Sequence, residues 1–267
     1  MINKLLSKKN KALLLELVRT DFKLRYQGSA IGYAWSLLRP LFMFVILYAV
    51  FAGVFKLGSE IPNYPIYLFI GIVLWSFFTE MTSQSLGAIV GRGDLIRKIR
   101  IPRWMIIVST SISALINLSL NMIIVLIIAA ISGMNFLSSS ILFPLFIVEI
   151  YIFSLGLSLI LSALFVKYRD ISFIWEVLLQ AGFYATPILY PLTLIANATI
   201  QKILLINPMA QSIQGARNVF VTHETLTIGE VYSSSLALLI PLAITVITLL
   251  IGILYFRKEA PDFAENL

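Results

Sequence analysis

Six long apolar stretches constrain the fold of this chain more than any other feature. A helix needs roughly 20 predominantly apolar residues to cross the hydrocarbon core of a bilayer. The stretches therefore predict an all-α membrane protein with six transmembrane helices, and they cover residues 31–54, 65–83, 104–131, 141–166, 171–190 and 233–256. The second and fifth are the least regular: polar residues interrupt 79–84, and the fifth contains Glu176, Gln180 and Pro187.

The composition supports a membrane protein and excludes several kinds of site. Charged residues make up only 12% of the chain, whereas a typical soluble domain is about 25% charged. Lipid must therefore solvate much of the chain, and we predict a single transmembrane domain over residues 1–267. The chain has no cysteine and its only histidine is His223. These counts exclude disulfides, thiolate zinc sites and histidine metal clusters, so we expect no metal.

The lysine and arginine residues are segregated by loop. Of the 20, 17 lie in the segment up to Arg39, in residues 91–103, in the loop after the fourth stretch and in the C-terminal tail, and the others are Lys56, Lys202 and Arg217. Cytoplasmic loops carry the excess of basic residues, so we predict the cytoplasmic (inner) membrane with both termini cytoplasmic. The net charge of +7 then reflects topology, and we expect no nucleic-acid partner.

Residues 11–27 predict an amphipathic helix before the first span. Apolar side chains share one broad arc of the helical wheel, and charged and polar side chains occupy the other. Such a helix lies in the membrane interface. Asp21 falls within the apolar arc. Either it pairs with Arg25 four residues later, or both side chains extend to water.

Residues 91–103, the basic loop, contain five basic residues. Asp94 can cap a helix that begins at Leu95, and Pro102 would end that helix because the residue before proline avoids the helical region. The pattern predicts a compact basic helix presented to the cytoplasm. This helix either gives a soluble partner a point of attachment or serves only as a positively charged anchor.

The connection between the fifth and sixth stretches is too long and too apolar for an ordinary loop, and Pro191, Asn207 and Pro208 break it. Backbone at membrane depth must be hydrogen-bonded within the protein. We therefore predict short re-entrant helices in residues 191–218.

Polar residues recur every four positions in three predicted spans, as Ser109, Ser113, Asn117 and Asn121, as Ser154, Ser158 and Ser162, and as Glu176, Gln180 and Tyr184. Such faces either pack helices together or, for an ionisable residue such as Glu176, line a cavity. The chain lacks a Gly-x-x-x-x-Gly-Lys-Ser/Thr phosphate-binding loop, so we expect a transport subunit without a nucleotide site rather than an enzyme.

Five motifs in order carry a resemblance to a known family. They are the stretch from Leu17 to Pro40 with its Arg-Tyr pair, two glycines and Trp, then Asp94 to Arg103, Tyr168-Arg-Asp170, Thr186-Pro-Ile188 and Asn207-Pro208. Over nearly its whole length the chain resembles the permease subunits of ABC type 2 exporters for O-antigen, teichoic acid, capsular and rhamnan-type polysaccharides. This resemblance implies a homodimer with a conduit between subunits. It also implies two copies of a cytoplasmic ATP-binding subunit, which would hold ATP and Mg²⁺.

The resemblance also assigns roles along the chain. The substrate would be a polyprenyl-diphosphate-linked glycan, and membrane lipid would surround the protein. The basic loop would be the coupling helix that contacts the ATP-binding subunit, through Asp94, Leu95, Ile96, Arg97, Lys98 and Arg100. Residues 191–218 would close the outer mouth as gate helices packed against spans one and five, with Pro191, Leu204, Leu205, Asn207 and Pro208 as their principal residues.

Two further sets of residues are candidates for substrate contact. Arg25, Tyr26 and Arg39 could meet the lipid diphosphate, since arginine pairs bidentately with phosphate, although contact with lipid headgroups is the favoured alternative. The conduit-lining candidates are Tyr33, Trp35, Glu176, Gln180, Phe183 and Tyr184, because aromatic faces suit sugar rings. Alternatively, these aromatic residues belong to the aromatic belts at the membrane–water interface or pack in the protein core.

Other kinds of transporter remain as alternatives at this point. One is an ABC type 2 permease for another substrate, such as a drug or a lipid. The second is a stand-alone secondary transporter, although such folds often contain inverted repeats and the sequence has no convincing repeat.

Overall fold

The computed structural model describes residues 8–26, 32, 34–57, 61–98, 101–134 and 137–266, and the regular secondary structure of these residues is entirely helical. The α-helices are α1 Lys8–Tyr26, α2 Ala34–Tyr48, α3 Tyr64–Ala88, α4 Gly93–Lys98, α5 Trp104–Ile131, α6 Phe143–Lys167, α7 Ile171–Ala185, α8 Ala198–Ile206, α9 Pro208–Phe220, α10 Ile228–Tyr232, α11 Leu239–Glu259 and α12 Phe263–Asn266. A π-helical turn, Ala49–Val54, continues α2. Short 3₁₀ turns lie at Val90–Arg92, Ser138–Leu142, Leu192–Leu194, Ser235–Leu238 and Ala260–Asp262.

Five helical runs in the described residues are long and apolar enough to cross a membrane. They are Ala34–Val54, Tyr64–Ala88, Trp104–Ile131, Ser138–Lys167 and Ser235–Asp262. These runs correspond to the first four predicted spans and the sixth. The all-helical fold is therefore confirmed, and five of the six predicted spans contain a helix that is long and apolar enough to cross a membrane.

The fifth predicted span, 171–190, contains the shorter helix α7. α7 has 15 residues, which at 1.5 Å per residue extend only about 22 Å, less than the roughly 30 Å of a hydrocarbon core. The helix ends where Thr186 adopts an extended conformation with ψ 137°, as expected of a residue that precedes proline. A complete fifth span therefore remains a prediction.

α3 forms the centre of the bundle, and every residue from 66 to 75 is buried. α5 and α6 pack along it, while α2, α7 and α9 contact other parts of its surface. Aromatic side chains fill these contacts: the Phe78 ring stacks on Phe153 of α6 with centroids 6.0 Å apart, and Phe69 meets Phe44 of α2 at 4.8 Å. A helix that is apolar around most of its circumference is buried in this way.

α11 contacts α6 directly through backbone atoms at two glycines. A Cβ atom added to Gly156 of α6 would lie only 2.7 Å from the backbone nitrogen of Leu249, and one added to Gly252 of α11 would collide with the Gly156 carbonyl oxygen. Small residues permit this close approach of membrane helices. The glycine pair therefore fixes how α11 sits on α6.

The predicted amphipathic helix is present as α1, which begins at Lys8 and packs against α5. Leu17 on its inner side is buried, whereas Leu15 is 73% exposed. An exposed leucine is compatible with a helix that contacts lipid. The location of α1 in the membrane interface remains a prediction.

Candidate coupling, conduit and gate regions

The basic loop contains the predicted short helix, although the helix begins earlier than expected. α4 starts at Gly93 and places Asp94 within its first turn, so the prediction that Asp94 precedes and caps the helix is wrong. An acidic residue in the first turn still interacts favourably with the helix dipole. Asp94 and Arg97 are exposed, whereas Ile96 packs against an apolar cluster that includes Ile106 and Phe263.

The other predicted coupling residues are only partly described. The side chains of Leu95 and Lys98, and all of Arg100, lie outside the described residues. Phe263 of α12 belongs to the same apolar cluster as Ile96, and α12 contacts α4 directly. α12 therefore supports α4 from the inside and leaves Asp94 and Arg97 available on the surface.

An ion pair joins α1, the basic loop and α5. The Arg92 guanidinium pairs with Asp21, and the Ser109 hydroxyl donates to the other carboxylate oxygen of Asp21 at 3.0 Å. Burial lowers the pKa of the Arg92 guanidinium, but arginine retains its charge in proteins. The partner of Asp21 in the described residues is thus Arg92, and the side chain of Arg25 lies outside them.

The polar face of α3 consists of Ser76, Thr79, Glu80, Ser83, Gln84 and Gly87. Between residues 66 and 87 these six are the positions that are not buried, and they recur at helical spacing. Glu80 accepts hydrogen bonds from Gln84 of the same helix, at 3.1 Å, and from the Asn117 amide of α5. Elsewhere between residues 66 and 87 the buried side chains are apolar apart from Thr82 and Ser85, so the accessible surface of this part of α3 is a strip of mostly polar residues.

The predicted conduit residues do not all lie on one surface. Glu176, Gln180 and Tyr184 are exposed along one face of α7, and Trp35 of α2 is 49% exposed. Phe183 instead is buried and packs edge-on against Trp75 of α3, with centroids 6.1 Å apart. It therefore belongs to the protein core.

The remaining substrate candidates are described only at Arg39, which is exposed on α2. Tyr33 and the side chains of Arg25 and Tyr26 lie outside the described residues. Near the start of α2, the Asn121 amide of α5 donates to the Ser36 carbonyl at 3.5 Å. α2 therefore begins beside α5.

Residues 187–232, the distal segment, contain the predicted short helices. α8 and α9 flank Asn207, whose side chain accepts from the Met209 N–H at 3.0 Å, while Pro208 occupies the first turn of α9. Asparagine caps and a first-turn proline both favour a helix start. Pro191 is buried beside the turn Leu192–Leu194.

The packing of the distal segment differs from the predicted contacts with spans one and five. α9 packs against α3, α6 and α11. Gly215 brings α9 close to α6, because a Cβ atom there would clash with the Phe146 ring, and the Ser212 hydroxyl donates to Glu149 of α6 at 2.8 Å. Leu205 is completely buried in a separate apolar cluster with Leu204 at its margin. Amphipathicity alone could not specify these neighbours.

Arg217 fixes the distal segment to α3. Its side chain is completely buried, and it donates to the carbonyl oxygens of Tyr67 at 2.9 Å, Pro187 at 2.6 Å and Ile188 at 2.6 Å. The guanidinium also lies 3.7 Å from the centre of the Tyr67 ring. Burial lowers the pKa of this guanidinium. The carbonyl dipoles and the ring face stabilise the charge that arginine keeps.

Comparison with known families decides the class of this chain. A family model for ABC-2 type transporters matches residues 12–221. The chain belongs to the ABC-2 type transporter family. It is similar to the O-antigen export system permease proteins RfbA of Myxococcus xanthus and Klebsiella pneumoniae, each at 29% identity, with 96% of this chain and 96% and 95% of those proteins covered. It is also 25% identical to the polysialic acid transport protein KpsM of Escherichia coli, over 93% of this chain and 92% of that protein.

The ABC-2 match extends from α1 through α9 and therefore includes the basic loop, the polar face of α3 and most of the distal segment. Family membership implies association with an ATP-binding subunit. Sequence reasoning missed two of the most connected groups in these regions. Arg217 was expected within the short helices of residues 191–218 and was noted only as one of the few basic residues outside the cytoplasmic loops, whereas its carbonyl partners lie as many as 150 residues away. The only available signal was its position in an amphipathic segment near the Pro187 break.

The polar face of α3, in contrast, could have been recognised from the sequence of this ABC-2 chain. Its members follow the helical period in the sequence, but they were interpreted as an interruption of the second span. A run of polar residues weakens a hydropathy signal regardless of its spacing. Spacing shows that these residues share one face of a continuous helix.

Proposed function

We propose that this ABC-2 chain is the transmembrane subunit of an ATP-driven exporter that moves a polyprenyl-diphosphate-linked polysaccharide, such as O-antigen or teichoic acid, across the cytoplasmic membrane. The assembly contains two copies of this chain and two cytoplasmic ATP-binding subunits that hold ATP and Mg²⁺. The single observation that carries the proposal is the polar face of α3. A polar substrate needs such a surface, because polar groups in a span are costly unless they face a cavity or a partner.

The conduit lies between the two copies, and the polar face of α3 contributes to its wall. Glu80 is held by Gln84 and Asn117, and its carboxylate gives sugar hydroxyls an acceptor. A drug or a lipid would instead favour an apolar path. The RfbA proteins and KpsM, to which the chain is similar, are named for O-antigen export and polysialic acid transport, which supports a glycan as the substrate.

The ATP-binding subunit drives transport through its contact with the basic loop. The chain has no phosphate-binding loop of its own, and α4 exposes Asp94 and Arg97, which suit a charged surface on the ATP-binding subunit. A stand-alone transporter does not fit a family that works with such a subunit. Arg39, exposed on α2, is the described candidate for the lipid diphosphate. The distal segment closes the outer mouth.

The decisive experiment compares one substitution on two helices. Surface polysaccharide is measured in a deletion strain complemented with wild type, with Ser83→Trp on the polar face of α3, or with Ser119→Trp on the exposed apolar side of α5. All three proteins should reach the membrane at equal levels. Ser83→Trp should strongly lower surface polysaccharide, because it obstructs the conduit wall, and Ser119→Trp should not.

Two outcomes would reject the proposal. If the deletion strain displays normal surface polysaccharide, the chain does not export it. If Ser83→Trp and Ser119→Trp reduce export equally, the polar face of α3 is not part of the path.

A further inference from the structure

α4 is too short to be stable without support from the rest of the protein. It has six residues, Gly93–Lys98, and isolated helices shorter than about 12–15 residues are marginal in water. In the described part of the chain, the most extensive contact of α4 with an element distant in sequence is its contact with α12. The position and orientation of α4 therefore depend on α12.

Among the described side chains of α12, Phe263 is the buried one. It is only 1% exposed, whereas Asp262 before it and Glu265 after it are exposed. Its ring meets the Phe256 ring of α11 edge-on, with centroids 5.3 Å apart. Phe263 also belongs to the apolar cluster that includes Ile96 of α4. One aromatic side chain thus connects α11 with the cluster beneath α4.

The segment that leads into α12 is fixed to two spans. Glu259, at the end of α11, is buried and forms an ion pair with Lys167 at the end of α6. The turn Ala260–Asp262 follows, and α12 then contacts α6 directly. α6 and α11 are themselves in close contact at Gly156 and Gly252. α12 therefore extends from a closely packed pair of spans to α4.

The two sides of α4 differ in chemistry. Ile96 packs into the apolar cluster, whereas Asp94 and Arg97 are exposed. Residues two apart do not face the same side of a helix, so Ile96 and Asp94 point in different directions. Such a helix is held by its own protein on the apolar side and presents its charges to a partner on the other.

We propose that Phe263 is a positioning residue for coupling, which holds α4 on α6 and α11 through the apolar cluster that it shares with Ile96. The ATP-binding subunit then binds an α4 that is already in position, and displacement of α4 moves α6 and α11 with it. A binding element that is in position for only a fraction of the time binds more weakly by that fraction. The inference rests on the proposed contact of α4 with the ATP-binding subunit and adds a residue outside α4.

The test measures the Kd of the ATP-binding subunit for the full chain in nanodiscs, together with the melting temperature of each variant. Phe263→Ala should raise the Kd about tenfold, as expected if α4 is in position in about a tenth of the molecules. Phe263→Leu keeps a large apolar side chain in the cluster and should bind nearly as well as the wild type. Phe263→Val should lie between the two, which preserves the comparison if Phe263→Ala does not fold.

The matched control is Phe143→Ala. Phe143 of α6 is also buried, but it packs against the Phe220 ring at 5.1 Å and belongs to a different apolar cluster. This substitution should lower the melting temperature as Phe263→Ala does and leave the Kd unchanged. Equal losses of affinity in the two variants would show a general effect of lost stability and would overturn the proposal.

Two further variants test how Phe263 acts. If it acts through Ile96, the double variant with Ile96→Ala should bind no more weakly than Phe263→Ala alone, because both changes remove the same contact. Additive losses would instead place Ile96 on the docking surface. Glu265→Lys, on the exposed side of α12, should bind like the wild type, and a loss there would make α12 itself a docking surface. Either result would overturn the positioning role.

Failure of this inference is distinguishable from failure of the proposed function. If the wild type binds the ATP-binding subunit and Phe263→Ala binds it equally well, only the positioning role of Phe263 falls. If the wild type binds no ATP-binding subunit, the proposed function falls together with the inference.

Discussion

The two ends of α3 are held by very different kinds of contact. At one end the distal segment is fixed by the three hydrogen bonds of Arg217 and by the close approach of Gly215 to Phe146. At the other end the short helix α4 carries exposed charges and is held mainly by Ile96 and by the Asp21–Arg92 pair next to it. The region expected to act as a gate is therefore part of the rigid core.

This difference indicates where movement during transport can occur. Discrete motions involve elements with few buried contacts, and α9 is among the most buried elements of the described chain. α2 and the exposed face of α7 are lightly packed in comparison. In the proposed dimer, opening of the outer mouth by separation of the two subunits therefore fits this pattern better than a movement of α9 within one subunit.

The largest expected effect comes from breaking the Arg217 network. Arg217→Met should destabilise the protein by about 3 kcal/mol or more, because several buried carbonyl groups lose their donor at once. The measurement is thermal denaturation in detergent, followed by size-exclusion chromatography. Lys202→Met is the matched control, since Lys202 is an exposed cation in the same segment. Equal melting temperatures for the two variants would contradict the rigid attachment of the distal segment.

A smaller effect on stability is expected at Gly71, where α3 packs directly against the Arg217 side chain. A Cβ atom on Gly71 would collide with the guanidinium, so Gly71→Ala should cost about 1–3 kcal/mol. Gly87, in the same helix, has no atom within 4 Å of its Cβ position, and Gly87→Ala should stabilise α3 by about 0.5–1 kcal/mol. Both changes are read from the same denaturation curves. Loss of stability in Gly87→Ala but not in Gly71→Ala would reverse the interpretation.

Substitutions around the basic loop, at the other end of α3, should change the stability of the protein less. A double-mutant cycle with Asp21→Asn and Arg92→Gln should give a coupling free energy of about 1 kcal/mol, since the pair is in direct contact and partly buried. Asp21→Asn with Arg97→Gln serves as the control cycle, because Arg97 is exposed, and its coupling should be close to zero. Equal coupling in both cycles would mean that Asp21 interacts with the overall charge of the basic loop and not specifically with Arg92.

Arg97→Glu should change stability by less than about 0.5 kcal/mol, as exposed substitutions usually do. It should nevertheless weaken co-purification with the ATP-binding subunit, because the charge on α4 is reversed. Arg257→Glu, at an exposed position near the end of α11, is the control and should co-purify normally. Normal co-purification and export by Arg97→Glu would indicate that this side chain only anchors the basic loop at the membrane.

Labelling of single cysteines should leave stability almost unchanged and test whether the two ends face opposite sides of the membrane. The natural chain has no cysteine. An impermeant maleimide should label Thr199→Cys in intact cells, and Arg97→Cys only after lysis. The opposite pattern would invert the topology. Arg217 is unsuitable for this test because it is completely buried.

The sequence predicted the parts of the fold that depend on local pattern. Apolar length located five spans, and Asn207-Pro208 marked the start of α9. The fifth stretch, however, was predicted to continue to residue 190, beyond Pro187. Its apolar residues continue past the proline, whereas the helix ends at Ala185.

Contacts between distant parts of the chain could not be predicted. Asp21 was expected either to pair with Arg25 or to extend to water, but its charged partner in the described residues is Arg92, and this pairing depends on how α1 packs against α5. Arg217 is a stronger example, since two of its acceptors lie just beyond the end of α7 at Ala185 and the third lies on α3, which α9 packs against. Periodicity identifies the face of a helix but not the neighbour that covers it.

The contact between Gly156 and Gly252 has a consequence for how the chain is made. α11 is synthesised after α6, so until it inserts, the small-residue groove on α6 is open to lipid. Neither glycine can be replaced without moving backbone, and docking of α11 on α6 therefore depends on this contact. A chain truncated before residue 239 would display that groove permanently, which gives the membrane quality-control machinery a simple mark of an unfinished subunit.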